Sequence, residues 1–406
     1  MKYLILGAGP SGLTIANMLM KKGERDLLVL EKEPEAGGLC RSTDVDQSPF
    51  DIGGGHFLDV RDPDVTGFVF SFLPEDEWDL YKRDSRIDLY GDMIGSPIEA
   101  NIWQLPADKQ KRYLDAIEKA GCNRGAPKPE KFTEWIDWKL GSAIAEDYML
   151  PYNKKMFGED LDSLGTYWLE KLPNVSYEET KLSCENRRPY GTQPGHAKFY
   201  YPKKYGYGEV FLRMAKALGD RIRYNEKAVS LDYETRTVNG KYSADMVIVT
   251  VPWNGIKEHI NLPDKYRSDI KALKYSSIVT EYVPEKLDTK AHWIYYPDPA
   301  KTYHRILVRH NFCPGSKGYW TETNLTRYDE TGAKKAGRTY FVNEHAYPLN
   351  TIGKQEKMKE LLEFTSSKGI YGLGRWGEWQ HYNSDVVIKR AMELANGSLL
   401  TTGCGG

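Results

Sequence analysis

The hydrophobic pattern at the start of the chain predicts a strand, a helix and a second strand. Residues 2–6 form a short apolar run, which is typical of a buried parallel strand. A helical pattern then runs from Ser11 to about Lys22 and ends at Gly23, and residues 27–31 form the next apolar run. The segment therefore predicts a βαβ unit.

Farther along, the pattern separates a helical region from a strand-rich one. The period is helical from about 105 to 172, with a loop near 121–130. Residues 275–345 carry short runs of Tyr, Val, Ile and Thr, as expected of an antiparallel sheet. Further helices are predicted over 209–218, 355–364 and 385–397.

Charge and hydropathy exclude several classes of protein. The formal net charge is −1 over 406 residues, so no overall field favours nucleic acid or an anionic membrane. No run of about 18 apolar residues occurs, so no membrane-spanning segment is expected. The first strand begins at Lys2, which leaves no room for a signal peptide, and a reducing cytoplasm is the expected compartment.

The cysteines argue against two kinds of site, whereas the aromatic residues are compatible with a binding cleft. The five cysteines are widely spaced and include no CxxC pair, so neither a disulfide framework nor a zinc or other metal site is expected. The 28 tyrosines and 10 tryptophans are mostly explained by core packing. An excess of tyrosine also suits a cleft that stacks rings and binds hydroxyl groups.

A glycine motif lies between the first strand and the first helix. Gly7, Gly9 and Gly12 fit the GxGxxG pattern, in which the turn approaches a pyrophosphate and the helix N-terminus faces its negative charge. Glu31 ends the second strand, where an acceptor for ribose hydroxyls is expected. The motif predicts a dinucleotide site but does not separate NAD from FAD.

Two further glycine clusters follow. In "GGLCRS", Gly38 allows close backbone approach and Arg41 offers a planar cation for phosphate, although a surface turn is the alternative explanation. In "DIGGGHF" (51–57), three glycines suit a flat ring that lies against the backbone. Taken alone, His56 is better explained as a hydrogen-bonded histidine in a turn.

These motifs, in this order, resemble the flavoenzyme superfamily of amine oxidases and UDP-galactopyranose mutases. Later segments are similar to mutase segments in the same order, so the resemblance covers nearly the whole chain. They are "PYNKKMFG" (151–158), "YWLEKLP" (167–173), "FYYPKKYGYGEVFLRMAKAL" (199–218), "WIYYPDPAKTYHRILVRHNFCP" (293–314) and "GLGRWGEWQHYNSDVVIKRAM" (372–392).

The resemblance implies an α/β fold in three parts. A discontinuous Rossmann-like FAD-binding domain is expected over 1–85, 195–265 and 365–406. An inserted helical bundle with a mobile substrate loop is expected over 98–190. An antiparallel β-sheet substrate domain is expected over 266–364.

The resemblance also implies a reaction. In that family, reduced FAD attacks the anomeric carbon of a nucleotide sugar through its N5 and displaces UDP, and the adduct lets the sugar ring open and reclose. The implied activity is an isomerase of polysaccharide biosynthesis that interconverts pyranose and furanose forms of a UDP-sugar, UDP-galactose or a relative. A reducing partner such as NAD(P)H is implied for the flavin.

Cofactor-binding roles carry over position by position. His56 would contact the flavin, Val229 would meet the adenine through its backbone, and Gly374 and Arg375 would lie beside the flavin. The full set implied to bind FAD is Gly7, Gly9, Gly12, Glu31, Gly38, Leu39, Arg41, Gly55, His56, Val229, Gly374, Arg375 and Asn383.

Substrate and catalytic roles carry over less completely. Tyr152 and Phe157 would lie near the nucleotide base, Arg305 would hold the diphosphate, and Phe312 takes the position of a family tyrosine near that phosphate. If the segment is a strand, Arg305 shares one face with Leu307 and Arg309. The implied catalytic residues are His56, Arg305 and Lys171, and the implied substrate-binding residues are Tyr152, Phe157, Lys171, Arg305, Phe312 and His381.

Departures from the family pattern fall on the sugar side. Lys171 replaces a loop arginine and loses the planar fork, and Phe157 replaces a tryptophan. His381 and Asn383 replace a tyrosine and an acid that reach the sugar and phosphates. These changes leave FAD binding untouched and leave the sugar and the base open.

Other functions stay open on the same residues. An amine-oxidase-type oxidase or desaturase shares the fold, and a non-enzymatic FAD-binding or assembly protein shares the cofactor motifs. An NAD(P)-dependent dehydrogenase is the remaining option. No GxSxG, HExxH or P-loop motif occurs, which is consistent with chemistry carried by a cofactor. Partnership is expected with a nucleotide sugar, not with nucleic acid, and the oligomer, a homo-oligomer among the options, is left open.

Overall fold

A computed structural model describes residues 1–169, 174–191 and 197–398 of the protein. Lys171, one of the predicted catalytic residues, lies outside the described residues. Within the described ranges, no helix combines the length and the apolar character needed to cross a bilayer.

The strands of the described residues are short, and most belong to two large sheets. In chain order they are β1 (Tyr3–Leu6), β2 (Leu27–Leu30), β3 (Ser42–Asp44), β4 (Pro49–Asp51), β5 (Leu58–Asp59), β6 (Trp78–Lys82), β7 (Ser85–Leu89), β8 (Asp92–Gly95), β9 (Lys198–Pro202), β10 (Ile222–Arg223), β11 (Ser230–Asp232), β12 (Thr237–Val238), β13 (Tyr242–Ser243), β14 (Met246–Val249), β15 (Glu258–Ile260), β16 (Tyr275–Val283), β17 (Trp293–Tyr295), β18 (Arg305–Leu307), β19 (Tyr319–Asn324), β20 (Tyr340–Pro348) and β21 (Ile370–Gly372).

The helices of the described residues include all those that the sequence pattern predicts outside the middle region. In chain order they are α1 (Pro10–Lys21), α2 (Pro63–Phe70), α3 (Ala107–Lys119), α4 (Phe132–Ile144), α5 (Leu150–Phe157), α6 (Tyr177–Asn186), α7 (Glu209–Leu218), α8 (Asp264–Ala272), α9 (Glu330–Lys335), α10 (Lys354–Ser367), α11 (Gly374–Gly377) and α12 (Ser384–Glu393).

The βαβ unit predicted at the N-terminus is confirmed and lies at the centre of a parallel sheet. The strand order is β10-β2-β1-β14-β21, and all four pairings are parallel. Every residue of β1 is buried, because helices or loops cover both faces of such a sheet. Strands from three distant segments complete it, so this layer is discontinuous in sequence.

The second large sheet differs from the prediction in one respect. Its order is β20-β16-β19-β18-β17-β7-β8, and its pairs are antiparallel except for β17 with β7. The strand-rich run at 275–345 supplies most of it, but β7 and β8 come from residues 85–95. The β7–β8 hairpin is short, and its sequence does not indicate which strand it pairs with. Only the folded structure shows that it forms one edge of the seven-stranded sheet, beside β17.

The helical region is shorter and more interrupted than the pattern predicts. The helix at 132–144 bends at Gly141, whose φ is +76°, and a π-helical turn over 145–149 joins it to α5. A Cβ on Gly141 would lie 2.4 Å from the carbonyl oxygen of Ala116, so the bend allows α3 to pack closely on α4. The bend and turn present one face of α4 and α5 to the seven-stranded sheet.

A buried arginine holds the loop between β3 and β4 against the second sheet. Arg309 follows β18 and lies in a 3₁₀ turn, so it does not share the strand face of Arg305 as predicted. Its guanidinium is fully buried and donates to the carbonyl oxygens of Val45, Ser48 and Pro49 at 3.0, 3.1 and 3.0 Å. It also donates to the carbonyl oxygen of Lys317 at 3.0 Å.

We expect Arg309→Met to lower the free energy of unfolding by at least about 2 kcal/mol, because it leaves buried carbonyl oxygens without donors. Urea unfolding at neutral pH measures the change. The control is Arg25→Met, which removes an exposed guanidinium that donates to the carbonyl oxygen of Met20 at 2.7 Å and should cost about 1 kcal/mol or less. Equal losses in the two variants would contradict this role for Arg309.

Candidate functional site

Three glycines build the turn between β1 and α1. Gly7 has a φ of +100°, and a Cβ on Gly12 would lie 1.9 Å from the carbonyl oxygen of Gly7. A Cβ on Gly9 would meet only the Cα of Gly38, at 3.9 Å, and would otherwise project into open space. Because α1 begins after Gly9 without a side-chain cap, its first N–H groups remain available to a ligand.

The second glycine turn packs directly on the first. Gly38 has a φ of +57°, and a Cβ there would lie 3.2 Å from the Cα of Gly9. The Arg41 Nε donates to the carbonyl oxygen of Gly38 at 3.0 Å, and its guanidinium lies 3.5 Å from Glu33. The side chain of Arg41 is therefore folded back onto the turn, beside Leu39.

Glu31 directly follows β2, which ends one residue earlier than predicted, and its side chain contacts the first glycine turn. Its carboxylate accepts hydrogen bonds from the N–H groups of Ala8 at 2.7 Å and Glu33 at 2.9 Å. Burial raises the pKa of Glu31, although these two donors oppose the shift. Each carboxylate oxygen keeps a free lone pair for a further donor, such as a hydroxyl group.

A glycine-lined cleft of about 470 Å³ opens above these turns, beyond the carboxyl ends of the parallel strands. Residues 250–252, which follow β14, form its opposite wall. The predicted cofactor residues found on its wall are Gly7, Gly9, Glu31, Gly38, Leu39, Arg41, His56, Arg375 and Asn383.

A second cavity of about 450 Å³, here called the aromatic cavity, lies between α4, α5 and the seven-stranded sheet. His56, Arg375, Asn383 and Ser384 line both the aromatic cavity and the glycine-lined cleft, so the two spaces share a wall. The predicted site residues on the wall of the aromatic cavity are Gly55, His56, Tyr152, Phe157, Arg305, Arg375, His381 and Asn383.

His56 is held in one tautomer on the shared wall. Its Nδ1 lies 2.9 Å from the carbonyl oxygen of Gly54, which can only accept, so Nδ1 carries the proton and Nε2 is an acceptor. Burial, helped by the nearby charge of Arg375, lowers the pKa of His56 to about 4. The imidazole is therefore neutral at neutral pH.

The C-terminal signature supplies the rest of the shared wall. Arg375 donates to the carbonyl oxygens of Tyr382 at 2.8 Å and Ala346 at 3.0 Å, and burial lowers its pKa. Gly374 lies behind the wall, where a Cβ would meet Ser11 Oγ at 2.0 Å. Its close packing lets α11 approach the start of α1.

Arg305 is paired with a buried carboxylate. The register places Tyr295 opposite Arg305, and Arg305 opposite Glu322, so these side chains follow one another across the sheet. The Arg305 Nε donates to Glu322 at 3.0 Å, and a second guanidinium nitrogen makes a shorter contact with the same oxygen. The Gly55 N–H donates to the other carboxylate oxygen at 3.1 Å.

The environment of Glu322 favours its ionised form. Burial opposes ionisation, but the charge of Arg305, together with His304 and the Gly55 N–H, lowers the pKa of Glu322 to about 2. His304 Nε2 lies 3.6 Å from the carboxylate, and burial lowers the pKa of His304. The Arg305–Glu322 pair therefore carries no net charge at neutral pH.

Aromatic rings surround this pair. Tyr152 packs edge to face against Tyr295, with ring centroids 5.5 Å apart. Phe157 packs against Trp168 at 6.1 Å and Tyr347 at 6.5 Å, both nearly perpendicular. The ring of His381 lies 4.8 Å from that of Tyr347. The predicted residues from α5 and the C-terminal signature thus converge on one cavity.

Of the predicted residues that the structure describes, four line neither cavity: Gly12, Gly374, Val229 and Phe312. Phe312 is buried in the core, where its ring packs against Phe57 at 5.2 Å and Tyr201 at 5.0 Å, so it is not placed to contact a substrate phosphate. The Val229 N–H donates to Asn239 at 2.8 Å, and its carbonyl accepts from Lys257 and Glu258. Its backbone is therefore engaged, and the preceding residues 227–228 line the glycine-lined cleft instead.

The aromatic cavity also contains charged residues that the sequence analysis missed. Arg83 and Glu99 come from the segments around β7 and β8, and Lys139 comes from α4. None of them lies in a recognisable motif, and the sequence pattern does not reveal that these segments border the same space. Within the described residues, no group of three or more His, Cys, Asp or Glu side chains is arranged to hold a metal ion.

Comparison with known proteins identifies a family. The sequence profile described as flavin containing amine oxidoreductase matches residues 10–283. The matched region begins just after Gly9 and includes Gly12, the two later glycine clusters and the helical region. It does not include the C-terminal signature.

Individual relatives are more distant. A corticosteroid-binding protein of Candida albicans is 26% identical over 314 residues, which cover 68% of this chain and only 59% of that protein. UDP-galactopyranose mutase of Mycoplasma genitalium is 22% identical over 96% of this chain and 94% of its own length. The crystal structure of a reduced UDP-galactopyranose mutase has a TM-score of 0.87 at 23% identity, covering 98% of this chain and 93% of that chain. This last likeness shows the fold.

The description of the matching family names a flavin, and the glycine-lined cleft has features that suit this cofactor. Gly9 leaves a space that a Cβ would enter, and the uncapped start of α1 suits a phosphate group. Glu31 offers acceptor capacity for ribose hydroxyls at the end of β2. Backbone and one acid thus provide the contacts that a flavin nucleotide requires.

We expect Glu322→Gln to lower the free energy of unfolding by about 3 kcal/mol at pH 7, because the folded protein lowers the pKa of Glu322 from 4.5 to about 2. A lowered carboxyl pKa stabilises the fold above the unfolded pKa and loses this effect as the pH falls through the folded pKa. The difference should therefore fall to about half at pH 3.

Urea unfolding of both proteins at pH 7 and pH 3 measures this dependence. Glu363→Gln, which removes an exposed carboxylate 3.9 Å from Lys359, controls for the loss of one negative charge. If Glu322→Gln lowered the free energy of unfolding by the same amount at both pH values, an ionised Glu322 would not be the source of the stability.

Proposed function

This chain belongs to the family of flavin-containing amine oxidoreductases, and on that premise we propose that it is an FAD-dependent nucleotide-sugar mutase. The proposed reaction interconverts the pyranose and furanose forms of a UDP-sugar, UDP-galactose or a relative. The likeness to UDP-galactopyranose mutase over almost the whole chain supports this choice within the family.

The observation that carries the proposal is the shared wall between the glycine-lined cleft and the aromatic cavity. His56, Arg375 and Asn383 face both spaces, so a flavin in the cleft would border a substrate in the cavity. The cavity wall combines aromatic rings with Arg83, Arg305 and other polar groups. Rings suit a nucleotide base, and arginines suit a diphosphate.

Gly9, Glu31 and the start of α1 would hold FAD, which when bound and reduced would supply a nucleophilic nitrogen for the sugar carbon without net consumption of electrons. Arg305 would bind the diphosphate and stabilise the charge that develops as it leaves. Its position is fixed by Glu322 and by the cross-strand neighbour Tyr295, so little reorganisation is needed during departure. Tyr152 and Phe157, from α5, would contact the base.

His56 would act as a neutral hydrogen-bonding group on the shared wall. Its Nδ1 proton is committed to Gly54, which leaves Nε2 as an acceptor for a hydroxyl or N–H group. Its pKa of about 4 keeps it uncharged where the reaction would run. His381 and Asn383, which replace a family tyrosine and acid, would contact the sugar or phosphates and supply the sugar preference of this chain.

An amine oxidase is the second candidate, and one observation favours it. Glu99 is buried on the wall of the aromatic cavity, where burial raises its pKa. A cationic amine bound beside Glu99 would favour the ionised form of its carboxyl group and pair with it, and the surrounding aromatic rings also attract cations. Release of hydrogen peroxide on addition of an amine, with no conversion of nucleotide sugars, would favour this function instead.

We expect FAD-loaded, dithionite-reduced protein to convert at least one member of a panel of UDP- and dTDP-hexopyranoses to its furanose form. Chromatography of the products measures the conversion, and the flavin spectrum should show that reduced flavin is not consumed. Oxidised protein is the control and should be inactive. A panel left unchanged by fully reduced protein would count against mutase activity.

We expect Arg305→Lys to lower kcat/KM about 10²-fold. Lysine keeps the positive charge but lacks the two parallel N–H donors of a guanidinium, which stabilise the negative charge that develops on the leaving diphosphate. The matched control is Arg338→Lys, which alters an arginine more than half exposed and paired with Glu281. Similar activities for the two variants would remove Arg305 from the proposed site.

We expect Gly9→Ala to fold normally but to bind FAD at least about tenfold more weakly, since its methyl group would enter the glycine-lined cleft. Gly12→Ala is the matched contrast, because its Cβ would meet the Gly7 carbonyl and should destabilise the fold itself by about 1–3 kcal/mol. Flavin absorbance of the purified proteins and urea unfolding separate the two effects. Normal FAD retention in Gly9→Ala would contradict the proposed phosphate site.

A further inference from the structure

Arg305 alone leaves the proposed diphosphate site short of positive charge. A nucleoside diphosphate leaving group carries about two negative charges at neutral pH, and its binding is chiefly electrostatic. The positive charge of Arg305 is already balanced by Glu322, which is fully buried and shares two short contacts with it. A further cation whose charge is not balanced by a carboxylate would therefore strengthen the binding of a diphosphate.

Arg83 is such a cation, on the wall of the aromatic cavity. Its guanidinium lies over the ring of Trp293, 4.5 Å from the centroid, and donates to Tyr295 Oη at 3.0 Å and Ser85 Oγ at 3.1 Å. Within the described residues, no carboxylate forms an ion pair with it. Both side-chain partners are neutral hydroxyls, so the full charge of Arg83 remains available to a ligand.

Tyr295 connects the two arginines. It lies directly opposite Arg305 in the pairing of β17 with β18, so the two side chains project from the same face of the sheet. The hydroxyl of Tyr295 accepts from Arg83 and also from Trp293 Nε1, at 2.7 Å. Arg83 and Arg305 therefore flank one tyrosine ring.

The position of Arg83 is fixed before any ligand binds. It lies in the short connection between β6 and β7, and its N–H donates to the carbonyl oxygen of Ala197 at 2.9 Å. The ring of Trp293 and the two hydroxyls restrain the side chain, which reduces the conformational entropy lost on binding. Among the residues that the structure describes, one terminal nitrogen of Arg83 has no protein acceptor, so it can donate to a phosphate oxygen.

We propose that Arg83 is a second anion-binding residue of this site and that it holds the diphosphate of the nucleotide sugar together with Arg305. This inference rests on the proposed function for the identity of the ligand. Arg83 acts by binding and orienting the diphosphate, so it contributes to the affinity for substrate and product alike.

The chain offers a matched control for Arg83. Arg86 lies three residues farther along, but its guanidinium forms a two-point ion pair with Asp84, at 3.0 and 2.9 Å, and it does not line the aromatic cavity. Arg83→Gln and Arg86→Gln therefore remove the same charge from the same strand region. Arg83→Lys keeps the charge but loses the planar fork.

The test is isothermal titration of the FAD-loaded protein with UDP and, separately, with inorganic pyrophosphate. We expect Arg83→Gln to weaken binding of both ligands at least about tenfold, as for a lost hydrogen bond to a charged group. Arg83→Lys should give an intermediate loss, and Arg86→Gln should stay within about twofold of the original protein. Arg83→Gln should also show a weaker dependence of affinity on salt.

The two ligands separate failure of this inference from failure of the proposed function. Unchanged UDP and pyrophosphate affinity in Arg83→Gln, with a normal flavin spectrum and thermal transition, would overturn the role of Arg83. Pyrophosphate binding that depends on Arg83, in a protein that converts no UDP-sugar, would support the anion site and reject the mutase. If Arg83→Gln does not fold, an Arg83→Lys affinity equal to that of the original protein would overturn the inference.

Discussion

The buried carboxylate of Glu322 is the contact on which the geometry of the candidate site depends. It accepts from the N–H of Gly55, in the turn that carries His56, and from Arg305 on the neighbouring strand. A Cβ on Gly54 would lie 2.6 Å from it, so the glycine turn has no room to move closer or to carry a side chain. One ionised group thus fixes the shared wall relative to the seven-stranded sheet.

The two cavities are built by different means, and the difference has consequences for function. The glycine-lined cleft is formed largely by backbone, by glycines and by one acid, so its chemistry depends on the path of the chain. The aromatic cavity is formed by side chains from helices and strands that are distant in sequence. Single substitutions can therefore change the lining of the aromatic cavity while the glycine-lined cleft is retained.

Charge is distributed unevenly around the aromatic cavity. Arg305 is neutralised by Glu322, and Arg375 is directed toward carbonyl oxygens on the shared wall. Arg83 instead contacts hydroxyls and a ring, and no carboxylate in the described part of the chain forms an ion pair with it. The location of net positive charge is consequently set by the partners of each arginine, and a count of arginines in the sequence does not reveal it.

The sequence by itself determined the βαβ unit, the phosphate turn and the acid that follows it, because these features depend on residues close together in the chain. The predicted strand-rich region and the helices at 209–218 and 355–364 were correct for the same reason. Only the tertiary structure decided that β7 and β8 join the second sheet, that Phe312 lies in the core, and that Arg83 and Arg305 are both neighbours of Tyr295. Local patterns specify elements and turns, whereas pairing between distant strands and the partner of each buried charge depend on how those elements pack.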